Sequence, residues 1–107
     1  MNINEIKQVM VIGAGTMGHS IAQVYAQSGF DVDLVDLKQE MLNIALNKIK
    51  FNLNLLADYQ RVSSDEIPSI VNRINPLTDL ETAAKRADYV VEAVSENKDI
   101  KRGVYSQ

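Results

Sequence analysis

An α/β fold built on a doubly wound parallel sheet is predicted by three features of this sequence. Val9-Met10-Val11-Ile12 is a continuous apolar run broken off by glycine, as in a strand buried on both faces of a parallel sheet. The hydrophobic period then becomes helical, with Met17, Ile21 and Val24 at i, i+4 and i+7. Strand-like and helical segments go on alternating down the chain, which leaves a right-handed doubly wound sheet in the order 3-2-1-4 as the one sensible architecture.

The elements follow in order. Strand β1 covers residues 9–12, and helix α1 covers 16–28, closed by Gly29 in a left-handed cap. Strand β2 covers 30–37, with Val32, Leu34 and Val35 as its apolar content. Of its aspartates only Asp36 sits at the C-terminal end. Asp31 reads as a strand-entry residue and Asp33 as a solvent-facing or edge residue, with a buried, paired state as the alternative. Helix α2, from about 38 to about 58, is long and amphipathic on Leu42, Ala45, Ile49, Leu53 and Leu56.

Ser63 and Glu66 have capping-box spacing for a short helix containing Ile67, Ile70 and Val71, with Pro68 tolerable near its first turn. Strand β3 covers 74–77, and Pro76, which lacks a backbone donor, assigns it to an edge. Thr78 and Glu81 repeat the capping-box spacing and open another short helix. Strand β4, residues 89–94, is strongly apolar, and Glu92 within it reads as a structurally hydrogen-bonded residue. A last helix starts near Asn97 or Lys98.

Composition bounds the function. With 107 residues, 46% of them hydrophobic, and a net charge of −3, this is an ordinary globular composition in one domain. The basic residues are scattered without interleaved aromatics, so neither nucleic acid nor an anionic membrane is an expected partner. The absence of cysteine rules out a disulfide framework, a thiol nucleophile and a thiolate metal site, and permits a reducing compartment, so a cytoplasmic location is expected. The run from Val9 to Ile12 is too short for a signal or a membrane span, and the expected mature start is Met1.

Gly13-Ala14-Gly15-Thr16-Met17-Gly18 is a G-x-G-x-x-G placed directly after β1 and opening α1. An acidic residue, Asp36, follows 23 positions after Gly13, near the interval of roughly 20 that dinucleotide-binding Rossmann domains use. The three glycines have separate expected roles, Gly13 in the tight turn, Gly15 in the close approach of backbone to pyrophosphate, and Gly18 in the packing of α1 on the sheet. The unpaired N–H groups of the first turn, at Thr16, Met17 and Gly18, and the positive end of the helix dipole then hold the pyrophosphate without a basic side chain. Asp36 accepts from the adenosine ribose hydroxyls and repels a 2′-phosphate, which favours NAD over NADP, although Lys38 nearby tempers the preference. His19, the one histidine, reads as a partly exposed helix residue rather than a catalyst, and no metal cluster can be assembled around it.

With V-I-G-A-G-T-M-G-H-S-I-A-Q from Val11 to Gln23, L-V-D ending at Asp36, and V-V-E-A-V-S-E-N from Val90 to Asn97 followed by Lys101, the chain resembles the 3-hydroxyacyl-CoA dehydrogenases. The resemblance implies that Ala93, Val94, Ser95, Glu96 and Lys101 lie near the cofactor on its nicotinamide side, with Met17 at the phosphate turn. It further implies an NAD-dependent oxidation of the 3-hydroxyl of an acyl-CoA, in an enzyme whose acyl pocket and dimer interface come from a C-terminal helical domain. In that family a histidine base oriented by a glutamate does the chemistry, with a serine and an asparagine positioning substrate. No residue here matches them. Residues 1–107 are accordingly expected to be the NAD-binding Rossmann domain at the front of a longer enzyme, without catalytic residues and inactive alone. A sugar-acid or carnitine 3-dehydrogenase of the same superfamily, and a non-catalytic nucleotide-binding or redox-sensing module, are the alternative readings.

Overall fold

A computed structural model describes residues 6–93 of the chain. Four strands, β1 (Gln8–Ile12), β2 (Asp31–Val35), β3 (Ile74–Leu77) and β4 (Tyr89–Glu92), form one parallel sheet in the order β3-β2-β1-β4. Helices α1 (Thr16–Gln27), α2 (Gln39–Asp58), α3 (Ile67–Asn72) and α4 (Leu80–Arg86) connect them, with a single 3₁₀ turn, Ser64–Glu66, leading into α3. The expected strand order is the observed one. Val94 and the helix expected near Asn97 or Lys98 lie outside the described residues.

Strand periodicity sorts the side chains. Val9, Val11, Val32 and Leu34 face α1, α2 and α3, where they meet Ala22, Ala26, Leu42, Ala45, Ile49, Leu53 and Ile70 in one apolar core. Met10 and Val35 point the other way, toward Ala83 of α4. Because Val9 pairs with Val32 and Val11 with Leu34, a slip of one residue would swing Asp33 into the apolar core. Register is therefore fixed by the pattern itself.

Asp33 is neither an edge nor a solvent-facing residue. It sits in a central strand with no exposed surface, and Arg86 grips it through both carboxylate oxygens, the Nε–Oδ2 distance being 2.7 Å. Asn75 of β3 donates a third hydrogen bond to Oδ1 at 3.2 Å. Arg86 is held above its usual range first by these hydrogen bonds and then by the charge of Asp33. The buried, paired alternative is the correct one, because α4 ends in a residue long enough to reach under the sheet.

The helix ends show local chemistry at work. Gly29, at φ 98°, supplies the left-handed residue expected after α1, one position beyond Ser28. At α4 the cap is Asp79 rather than Thr78: its carboxylate accepts from the N–H groups of Glu81 and Thr82 and from the Thr82 hydroxyl. These bonds, the Thr82 hydroxyl first, hold Asp79 below its ordinary value. Ser63 and Glu66 meet only through the backbone, Glu66 N–H to Ser63 O at 2.9 Å, so that capping box is not formed by side chains. Pro76 pairs with Leu34 in register on the outer strand β3, as expected of an edge.

Candidate functional site

The loop from Gly13 to Gly15 leaves the carboxyl end of β1, the strand edge where open α/β sheets bind ligands. Gly13 takes a φ of 97°, which a side chain would strain, and its N–H donates to Val35 O at 2.7 Å, tying the loop to β2. The next N–H, of Ala14, donates to Asp36 Oδ2 at 3.0 Å, while Lys38 N–H donates to Oδ1 at 3.0 Å. Asp36 is thus oriented from two sides. An ionised carboxylate has about four acceptor positions, so these bonds leave room for a vicinal diol.

Gly15 caps α1 without any side-chain hydrogen bond, and no acidic residue occupies the first turn. The N–H groups of Thr16, Met17 and Gly18 have no carbonyl a turn earlier in the helix, and together with the dipole of a twelve-residue helix they suit an anion. Thr16 and Met17 are exposed.

Gly15 and Gly18 differ in what demands them. A Cβ on Gly18 would lie 1.7 Å from Gly13 O and 3.7 Å from the Cβ of Ala93, so Gly18 lets α1 press against the turn and against the end of β4. A Cβ on Gly15 would meet nothing within 4 Å, and its φ of −69° suits any residue. Among the described residues nothing requires glycine at 15. A pyrophosphate passing over the loop would, and the cradle fits a dinucleotide.

Beside Asp36 a cavity of about 340 Å³ is lined by Ile12, Gly13, Val35, Leu37, Lys38 and Leu80. Its mostly apolar walls and single carboxylate match an adenosine with its ribose at the rim. Leu80 could not be singled out from the sequence, since it opens a helix distant in the chain and has no local signal of a ligand contact.

Of the remaining expected site residues, Ala93 is buried beside Gly18, whereas Val94, Ser95, Glu96 and Lys101 lie outside the described residues. Glu92 has one carboxylate oxygen, Oε2, buried without a hydrogen-bond partner among the described residues. His19 is not partly exposed but 6% exposed, on the side of α1 that faces α2 across a cavity. Its Nδ1 lies 3.0 Å from Gly15 O. Among the described residues no group of three or more His, Asp or Glu could hold a metal, and no helix is long and apolar enough to cross a membrane.

Comparison with known proteins agrees with this geometry. Residues 8–107 match the family described as 3-hydroxyacyl-CoA dehydrogenase, NAD binding domain. A probable 3-hydroxybutyryl-CoA dehydrogenase of Deinococcus radiodurans is 44% identical over 97 residues, 91% of this chain and 34% of that protein. One from Bacillus subtilis is 40% identical over 101 residues, 94% of this chain and 35% of its own length. The crystal structure of 3-hydroxybutyryl-CoA dehydrogenase from Escherichia coli K12 superimposes with a TM-score of 0.85 at 35% identity, covering 96% of this chain and 22% of that one. The chain spans about a third of the length of the two curated relatives. With a glycine loop, an acid just beyond the end of β2 and a matched sequence that agree, the chain belongs to the NAD-binding domain family of the 3-hydroxyacyl-CoA dehydrogenases.

Proposed function

We propose that residues 1–107 bind NAD for an enzyme that interconverts 3-hydroxyacyl-CoA and 3-oxoacyl-CoA by hydride transfer. The observation that carries the reading is Gly15, a glycine that no contact among the described residues demands. In this reading the pyrophosphate lies over Gly13, Gly15 and the N–H groups of Thr16, Met17 and Gly18. Asp36 takes the adenosine ribose, and the adjoining cavity takes the adenine. Ala93, Val94, Ser95, Glu96 and Lys101 serve the nicotinamide side. NAD supplies the hydride acceptor, and these residues bind and orient it. On the analogy of the family the full-length enzyme is a cytoplasmic homodimer acting on acyl-CoA, with its catalytic base outside this chain.

Titration of NADH and NADPH tests the reading. NADH should bind more tightly, and Asp36→Ala should narrow the gap by about 1.5–3 kcal/mol, the worth of hydrogen bonds to a charged acceptor. Gly15→Val should leave the domain folded, at a cost of about 1 kcal/mol for the poorer helix cap, and abolish NADH binding. Equal affinity for the two cofactors in the unmutated protein would refute the ribose assignment, and undiminished binding by Gly15→Val the pyrophosphate assignment.

A further inference from the structure

We infer that His19 is a positioning residue for the pyrophosphate, acting through the carbonyl of Gly15. The inference rests on the reading of the glycine loop as the pyrophosphate cradle.

Four peptide planes lead from Ile12 to Thr16, and the first two are anchored through their N–H groups. Gly13 N–H is held by Val35 O and Ala14 N–H by Asp36 Oδ2. The plane joining Gly15 to Thr16 carries the first N–H of the helix. In a trans peptide the carbonyl and the N–H point in opposite directions, so whatever fixes Gly15 O also aims Thr16 N–H. Gly15 O accepts two hydrogen bonds, from His19 N–H at 3.0 Å and from the His19 ring at 3.0 Å. A carbonyl oxygen only accepts, so Nδ1 carries the proton in this contact.

The ring is well placed to hold a fixed geometry. It is 6% exposed, and it shares the lining of a second cavity, of about 450 Å³, with Asn47, Lys48, Phe51 and Asn52 of α2. Burial and the hydrogen bond to Gly15 O together restrict the imidazole. Two donors on one carbonyl also polarise its peptide group and strengthen the N–H on the other side as a donor to an anion. The same bond can be made by asparagine: in α2, Asn54 Nδ2 donates to the carbonyl of Lys50, four residues back, at 2.9 Å.

The experiment compares the unmutated protein with His19→Phe, which keeps a ring and loses the donor, His19→Ala, and His19→Asn, which keeps a donor. NADH and ADP-ribose affinities are measured by titration, and adenosine binding by ligand-observed NMR. Loss of the ring donor should weaken NADH and ADP-ribose about five- to tenfold, the worth of one neutral hydrogen bond, and leave adenosine unchanged. His19→Asn should return both to within about twofold of the unmutated protein. Should His19→Ala fail to fold, the Phe and Asn variants decide the matter. Undiminished NADH binding by His19→Phe, an equal loss for adenosine, or an Asn variant no better than Phe would overturn the inference. If the unmutated protein binds neither NADH nor ADP-ribose, the cofactor reading itself falls, and this inference with it.

Discussion

On one face of the sheet a continuous apolar cluster joins β1, β2 and β3 to α1, α2 and α3. On the other, Met10, Val35 and Ala83 are the buried apolar residues among those described, and Asp33, Arg86 and Asn75 fill the space between β2 and α4. The first face is held by area, which is non-directional and shared among many contacts. The second is held by a few hydrogen bonds with defined directions. A helix of seven residues has too little apolar surface to choose its own seat, and the grip of Arg86 on Asp33 chooses it instead.

The difference can be broken from either side. The largest effect belongs to the apolar face: Leu53→Ala, at a position with no exposed surface, should cost about 3–4 kcal/mol in urea denaturation. A cost below about 1 kcal/mol would show a core that collapses around the gap.

The polar face should respond unequally to the loss of its two partners. Arg86→Met strands a fully buried carboxylate with only Asn75 to serve it and should cost about 2–3 kcal/mol, toward the low end for a broken buried pair because the Arg86 side chain is 45% exposed. Asp33→Leu leaves an arginine that can turn to water, and stability should stay within about 1 kcal/mol. Equal costs would mean that the pair acts as a surface ion pair.

The smallest effect lies at the sheet's entry. Asp88 accepts from the N–H groups of Lys7 and Gln8, each at 2.9 Å, joining the start of β4 to the start of β1, and these bonds hold its carboxyl below the ordinary 3.8. A group lowered by folding contributes stability above its unfolded value and loses it as pH falls through the folded one. Melting temperatures between pH 7 and pH 2.5 should therefore fall below about pH 4, the ordinary carboxylate range, and fall less steeply in Asp88→Asn. Asp79, also lowered, keeps part of the slope in that variant.

The glycine loop was legible because its requirements are local: a positive φ at Gly13, a close approach at Gly18, and an acid at the end of the next strand. Asp33 was not, since its partners stand 42 and 53 positions away and no pattern within β2 announces them. Thr78 and Asp79 competed for one cap within a single turn, and the carboxylate, able to take several donors, prevailed over the spacing. The burial of His19 depends on how α2 crosses α1, which periodicity leaves open.

Pro76 sets the two flanks of the sheet apart. The carbonyls of Arg73 and Leu77 accept from the N–H groups of Val32 and Asp36, in step with Asn75, so the ring nitrogen of Pro76 faces outward, where a neighbouring strand would seek a donor. On the opposite flank β4, where Tyr89 and Val90 are about half exposed, has no proline and pairs only with β1 among the described residues. A strand laid against β3 would find one donor missing at Pro76, a gap that the described residues of β4 do not have.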